Sequence, residues 1–119
     1  MRFTSPVLRD QQPIPADYAF GVFDPDQHVT LGANRNPPLE WSDLPPGTRS
    51  LVLICYDRDV PTRADDVNQE GRVVPADLPR TDFFHWILVD LPPAPARILA
   101  GEFSDGVTAG GKAAMPISA

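Results

Sequence analysis

Ser50-Leu51-Val52-Leu53-Ile54-Cys55-Tyr56-Asp57-Arg58-Asp59-Val60-Pro61 is the stretch that decides the fold. Its first seven residues are apolar at almost every position and include Val and Ile, and the run is too short for a helix of ordinary length. That combination reads as a central strand covered on both faces. A second run, Phe83 to Leu91, has the same character and holds three aromatic residues, so the two are expected to form the core together. Fifteen prolines are spread along the rest of the chain. Each fixes φ, removes an amide donor and pushes the preceding residue out of the helical region, so long helices are expected to be scarce and short strands favoured. Phe3 to Leu8, Tyr18 to Phe23 and Val29 to Leu31 are the weaker strand candidates, read as edge strands. Ala94 to Ala100 has room for one helical turn with Pro95 at its start. The fold class expected is mostly β, an antiparallel sandwich.

The stretch from Pro61 to Arg80 is polar, has no sustained period and is read as a long loop or a series of short turns, the kind of segment that often carries function. The tail Gly101–Ala119 holds four glycines and is expected to be loop or disorder, adding no core strand and leaving a sheet edge or apolar face uncovered. At 119 residues the chain fits a single domain spanning 1–119.

Charge and composition exclude several classes. Ten basic residues against sixteen acidic give a net charge of −6, which disfavours nucleic acid phosphates and anionic lipid surfaces as partners. No apolar run approaches the roughly 20 residues of a membrane-spanning helix, and Met1 to Pro6 lacks the apolar stretch of a signal peptide. A cytoplasmic protein without a membrane span is expected. Cys55 is the sole cysteine and, from its place in an apolar run, is read as a buried thiol.

The chemistry concentrates where the first core strand ends. Asp57 and Asp59 stand two residues apart, which in extended geometry puts both carboxylates on one side. His85 lies among the aromatics of the second core run, so if the two strands are neighbours its imidazole can meet Asp57 or Asp59. Read from residue types alone, this group leaves its use open. Asp after a strand commonly caps its own backbone, and a histidine among aromatics is often a satisfied core residue. An Asp-x-Asp with a histidine can also hold a divalent metal for a phosphoesterase, although His28, in the polar turn from Asp24 to His28, is the only other histidine. No Gly-x-Ser-x-Gly turn indicates a nucleophilic enzyme.

The succession Gly32-x-Asn34-x-x-Pro37-x-Leu39-x-Trp41, Pro46-Gly47-Thr48-x-Ser50-Leu51, Asp57-x-Asp59-x-Pro61 and Phe84-His85-Trp86 resembles the phosphatidylethanolamine-binding protein family. It is most similar to the bacterial branch described as Raf kinase inhibitor-like. The resemblance implies a central antiparallel sheet against a smaller one, with a shallow pocket for a phosphate group or a phosphorylethanolamine headgroup. By position it assigns Asp57, Asp59, Pro61 and His85 to that pocket and Phe83 to its rim, where some members carry a Trp. Trp41 and Trp86 are read as core anchors. It implies a binding protein rather than an enzyme, no cofactor, and as partners a phosphate-bearing small ligand, a phosphopeptide or other protein partner, and a second copy in a homodimer.

Two departures qualify the match. The family's first signature usually reads Asp-Pro-Asp-Ala-Pro, where this chain has Arg58 and Val60 at the intervening positions. The second signature, a Gly-Pro-x-x-Pro loop followed by a His-Arg-Tyr strand, does not occur in these 119 residues, so the expectation is a domain lacking its C-terminal part. Pro61 would aim the carboxylates, with the Val60–Pro61 bond a candidate for a cis peptide.

Overall fold

A computed structural model describes residues 1–113, and the expectation for Gly101–Ala119 falls outside them from residue 114 onward. The class is mostly β with antiparallel sheets, as the proline spacing and the short apolar runs imply. The chain divides into two compact units, one made of Met1–Arg49 with the segment from Pro92 onward, the other of Ser50–Leu91.

The first unit carries two sheets. Strands β1 (Arg2–Thr4), β4 (Leu39–Ser42) and β7 (Arg97–Ile98) form one, in the order β1-β4-β7. β2 (Gly21–Asp24) and β3 (His28–Leu31) form a separate hairpin. The sequence reading placed no strand at β4, taking Gly32 to Trp41 as a turn-rich segment, yet its side chains alternate with period two. Leu39 and Trp41 are 6% and 7% exposed while Glu40 and Ser42 face solvent. Leu39 pairs with Ile98, itself 2% exposed, so the core of this unit is centred on β4. Trp41 is held in plane by an Nε1–H bond of 3.0 Å to the Pro93 carbonyl, and the core role expected for it is observed. The helical turn expected over Ala94 to Ala100 is instead β7, entered through a cis Ala94–Pro95 bond. A β7 strand lets Leu39 and Glu40 pair with Ile98 and Arg97, which a helical turn would not. Tyr18, expected to start a strand, ends a short 3-10 helix at Ala16–Tyr18.

Several residues of the resembling motif hold this unit's turns. A Cβ on Gly32 would run into the Ala19 carbonyl oxygen, and the Gly32 amide donates to Phe20 O at 2.7 Å. Only glycine permits that approach. Asn34 takes a left-handed φ of 49° and donates from Nδ2 to Gly106 O. Thr48 closes its turn on the Pro45 carbonyl through both its amide and its hydroxyl.

The second unit is a ribbon of β5 (Leu51–Pro61) and β6 (Arg80–Leu91), antiparallel and joined by a loop from Thr62 to Pro79 made of short turns. The two core runs do pair, as read. They are not covered on both faces, however: Val52, Ile54, Tyr56, Phe84 and Ile87 are all exposed, while Leu53, Trp86 and Leu88 on the other face are half-buried. Cys55 is likewise exposed rather than buried. An apolar run reports that a strand has apolar faces, not that something covers both.

Three shifts of register interrupt the ribbon, between Leu51 and Leu53, between Cys55 and Tyr56, and between Asp57 and Val60. At the first two, β6 holds one residue more than β5; at the third, β5 holds the extra one. Such bulges re-aim side chains and sharpen the local twist.

Candidate functional site

The middle bulge places the histidine. Cys55 pairs with Trp86 and Tyr56 with Phe84, which leaves His85 as the additional residue of β6. Asp57 pairs with Phe83, and directly opposed residues share a face of the sheet. Cys55, two residues before Asp57, and its partner Trp86 lie on that face as well. The imidazole of His85 meets the ring of Phe83 edge-on, with centroids 4.9 Å apart and an interplanar angle of 65°. Asp57, Phe83 and His85 are therefore brought to one stretch of one face, and Phe83 is the residue in contact with the imidazole.

The polar contacts differ from those anticipated. No hydrogen bond joins His85 to Asp57 or Asp59 among the described residues. Instead Asp57 Oδ1 accepts the Asp59 amide at 2.8 Å, the local turn that an aspartate at a strand end often makes. Asp57 Oδ2 makes no hydrogen bond among the described residues. The bulge between Asp57 and Val60 breaks the strict alternation that would have set both carboxylates on one side, so the Asp-x-Asp spacing does not by itself join them. Asp59 contributes its carbonyl to a bond of 3.4 Å from Arg80 Nη1, whose Nη2 reaches Pro75 O at 3.3 Å. Pro61 ends the strand opposite Arg80. Its peptide bond is trans, the cis proline bond among the described residues being the one at Pro95.

Partial burial, and secondarily the negative charge of Asp57, push the Cys55 thiol above its ordinary range, because both disfavour the thiolate. Among the described residues no group of three or more His, Cys, Asp or Glu side chains is placed to hold a metal ion.

The site is an open face rather than an enclosed cavity. Two shallow cavities lie elsewhere, one of about 390 Å³ beside Phe3, Leu8, Arg9 and Leu39, the other of about 360 Å³ beside Ser104, Asp105, Thr108 and Lys112. Neither includes Asp57, Asp59, Pro61, Phe83 or His85. The sequence reading also missed the best-connected polar side chain among the described residues. Asn36, 4% exposed, donates from Nδ2 to Leu99 O (2.9 Å) and Pro37 O (3.1 Å) and accepts at Oδ1 from the amides of Phe103 (2.8 Å) and Ser104 (3.0 Å). Its own amide and carbonyl bond Ser104 and Gly101. Every hydrogen-bonding atom of Asn36 is satisfied, so this is a structural knot that ties the start of the glycine-rich tail to the β4 approach. Nothing local in the sequence signals it, since apart from the Pro37 carbonyl its side-chain partners lie more than sixty positions away.

The phosphatidylethanolamine-binding protein family profile matches residues 4–116. The chain is similar to the UPF0098 protein YbhB of Escherichia coli strain K12, with 33% identity over 109 residues that cover 92% of this chain and 54% of that relative. A UPF0098 protein of Chlamydia trachomatis is 31% identical over 101 residues, 85% of this chain and 52% of its own length. The UPF0098 protein Rv1910c of Mycobacterium tuberculosis is 30% identical over 118 residues, 99% of this chain and 40% of its own length. The chain thus spans about half the length of the curated relatives it matches. No solved structure matches it. No helix among the described residues is long and apolar enough to cross a membrane. With a profile match across nearly its whole length, the chain belongs to the phosphatidylethanolamine-binding protein family.

Proposed function

We propose that this chain binds a small phosphate-bearing anion, of the kind carried by a phosphorylethanolamine headgroup, on the Asp57–Phe83–His85 face of the β5–β6 ribbon. The observation that carries the reading is the middle bulge, which sets His85 against Phe83 while Phe83 pairs with Asp57. In this arrangement the Phe83 ring holds the imidazole, and a ring N–H donates to a phosphate oxygen in a charge-assisted bond. Asp57 Oδ1 is fixed by the Asp59 amide, and Oδ2 is left to accept the ligand's ammonium group or the proton of a monoanionic phosphate. A carboxylate next to a phosphate costs energy unless such a partner intervenes, so the site favours a zwitterionic headgroup over bare phosphate. Asp59 and Pro61 serve as the scaffold that ends β5 at the site, and Arg80 ties Asp59 to the Pro75 loop.

The role is binding rather than catalysis, in the cytoplasm. A metal-assisted phosphoesterase needs a further ligand beside these residues, and the described ones supply none in reach. Calorimetric titration with phosphorylethanolamine and with inorganic phosphate tests the reading. Phosphorylethanolamine is expected to bind more tightly than phosphate, and Asp57→Asn to erase that preference. Equal affinity for both ligands in the unaltered chain would show that Asp57 does not read the ammonium group. Absence of binding by either would overturn the reading itself.

A further inference from the structure

The turn that follows β1 forms a cavity with one cation on its wall. Ser5 starts it: the hydroxyl donates to the Pro38 carbonyl at 2.7 Å and accepts the amides of Val7 (3.3 Å) and Leu8 (3.2 Å), which turns the chain back toward the start of β4. The shallow cavity of about 390 Å³ formed there is lined by Phe3, Leu8 and the buried Leu39, together with two charged neighbours, Arg9 and Asp10. Arg9 is held by its own turn. Its Nη1 donates to the carbonyls of Leu8 (3.0 Å), Pro6 (3.2 Å) and Ser5 (3.5 Å). Its Nε and Nη2 have no partner among the described residues, and no ion pair joins it to Asp10.

Nε and Nη2 share one edge of the planar guanidinium, and such an edge matches a carboxylate with two parallel hydrogen bonds. We propose that this cavity binds a small monocarboxylate with a short apolar chain, its carboxylate on the Nε–Nη2 edge of Arg9 and its chain against Leu39, Phe3 and Leu8. An apolar lining with one polar group that fixes orientation is the usual make-up of a small-molecule site. The volume lies at the lower end of the roughly 300–1,000 Å³ of such sites, which limits the chain to a few carbons. The three carbonyls on Nη1 fix the plane of the fork before a ligand arrives, so less side-chain freedom is lost on binding. Asp10 sets the charge of the ligand. Its carboxylate repels a dianion more than a monoanion, so a singly charged carboxylate is favoured over a phosphate or a dicarboxylate. The cavity belongs to the first unit, whereas Asp57 and His85 belong to the second, and the inference does not depend on what they bind.

Titration of the isotope-labelled chain with hexanoate, followed through its backbone amides, tests this. Saturable shifts are expected on Phe3, Leu8, Arg9 and Leu39. Hexanol, which has the chain without the carboxylate, is expected to bind roughly tenfold more weakly or worse, and so is acetate, which lacks the chain. Arg9→Ala should weaken hexanoate by a similar factor, and Arg9→Lys should recover only part of the loss, because an ammonium keeps the charge but not the fork. Asp10→Asn should tighten hexanoate severalfold by removing the like charge. If Arg9→Ala loosens its turn, the comparison of hexanoate with hexanol on the unaltered chain decides. The absence of saturable shifts around Phe3, Leu8 and Leu39 would overturn the inference. Equal affinity for hexanoate and hexanol would overturn it as well, since Arg9 would then read nothing. Shifts centred on the exposed Val52, Ile54 and Ile87 of the ribbon would do the same, because they report adsorption to apolar surface.

Discussion

The Asn36 knot and the β5–β6 ribbon handle polar groups in opposite ways. Around Asn36 all donors and acceptors are paired, the residue is nearly inaccessible, and Leu39, Trp41 and Ile98 close the adjoining core. On the ribbon, the His85 side chain makes no hydrogen bond to a described residue, Asp57 uses one oxygen on its own strand, and the aromatic next to them is half exposed. A satisfied network rigidifies, whereas unspent donors and acceptors on an accessible face are what a ligand can use. The difference separates residues that hold the protein together from residues that have bonds to offer.

If that separation is sound, substitutions in the first region should cost stability and leave binding alone, and substitutions in the second should do the reverse. Trp41→Ala removes a buried indole and its bond to Pro93 O, and is expected to cost about 3–5 kcal/mol in denaturant unfolding. Asn36→Ala strands the amides of Phe103 and Ser104 and the Leu99 carbonyl, with an expected loss on the order of 2–4 kcal/mol. Neither should alter the affinity for phosphorylethanolamine measured well below the unfolding midpoint. His85→Ala should weaken that affinity roughly tenfold or more, the worth of one charge-assisted bond of ~1.5–3 kcal/mol, while unfolding shifts little. A large stability loss in His85→Ala with unchanged affinity would instead make the imidazole a packing group and collapse the contrast.

A smaller effect sharpens the picture without any ligand. Because burial and the Asp57 charge both hold the Cys55 proton on, alkylation of this exposed thiol should set in at higher pH than for a free cysteine. Asp57→Asn removes the second of those causes, so at a fixed mildly alkaline pH the labelling rate should rise severalfold at most. An unchanged rate would mean that Asp57 does not face Cys55.

Much of the ribbon was legible in the sequence because strand pairing follows from two apolar runs separated by a proline-rich polar loop. That Asp57 and His85 would come to neighbouring strands followed from the same reading. The details did not follow, since bulges arise from the pairing of two strands and neither strand encodes them alone. They are what put Phe83 rather than the histidine opposite Asp57 and what broke the Asp57–Asp59 alternation. Strand β4 was hidden in the turn-rich segment from Gly32 to Trp41 although its Leu39 and Trp41 alternate with Glu40 and Ser42. Cys55 was misplaced because apolar neighbours in sequence say nothing about what lies above them. Asn36 gave no sign at all, being one polar residue in a turn-rich stretch whose partners all lie near Leu99 to Ser104 or beside it.

The most direct test of the central claim is a nuclear magnetic resonance titration of the labelled chain with phosphorylethanolamine, following backbone amides and the His85 ring. The account predicts that the largest shifts fall on Asp57, Phe83 and His85, with Asn36 and the β2–β3 hairpin unmoved. Shifts centred instead on the cavity beside Ser104, Thr108 and Lys112, with His85 silent, would contradict it.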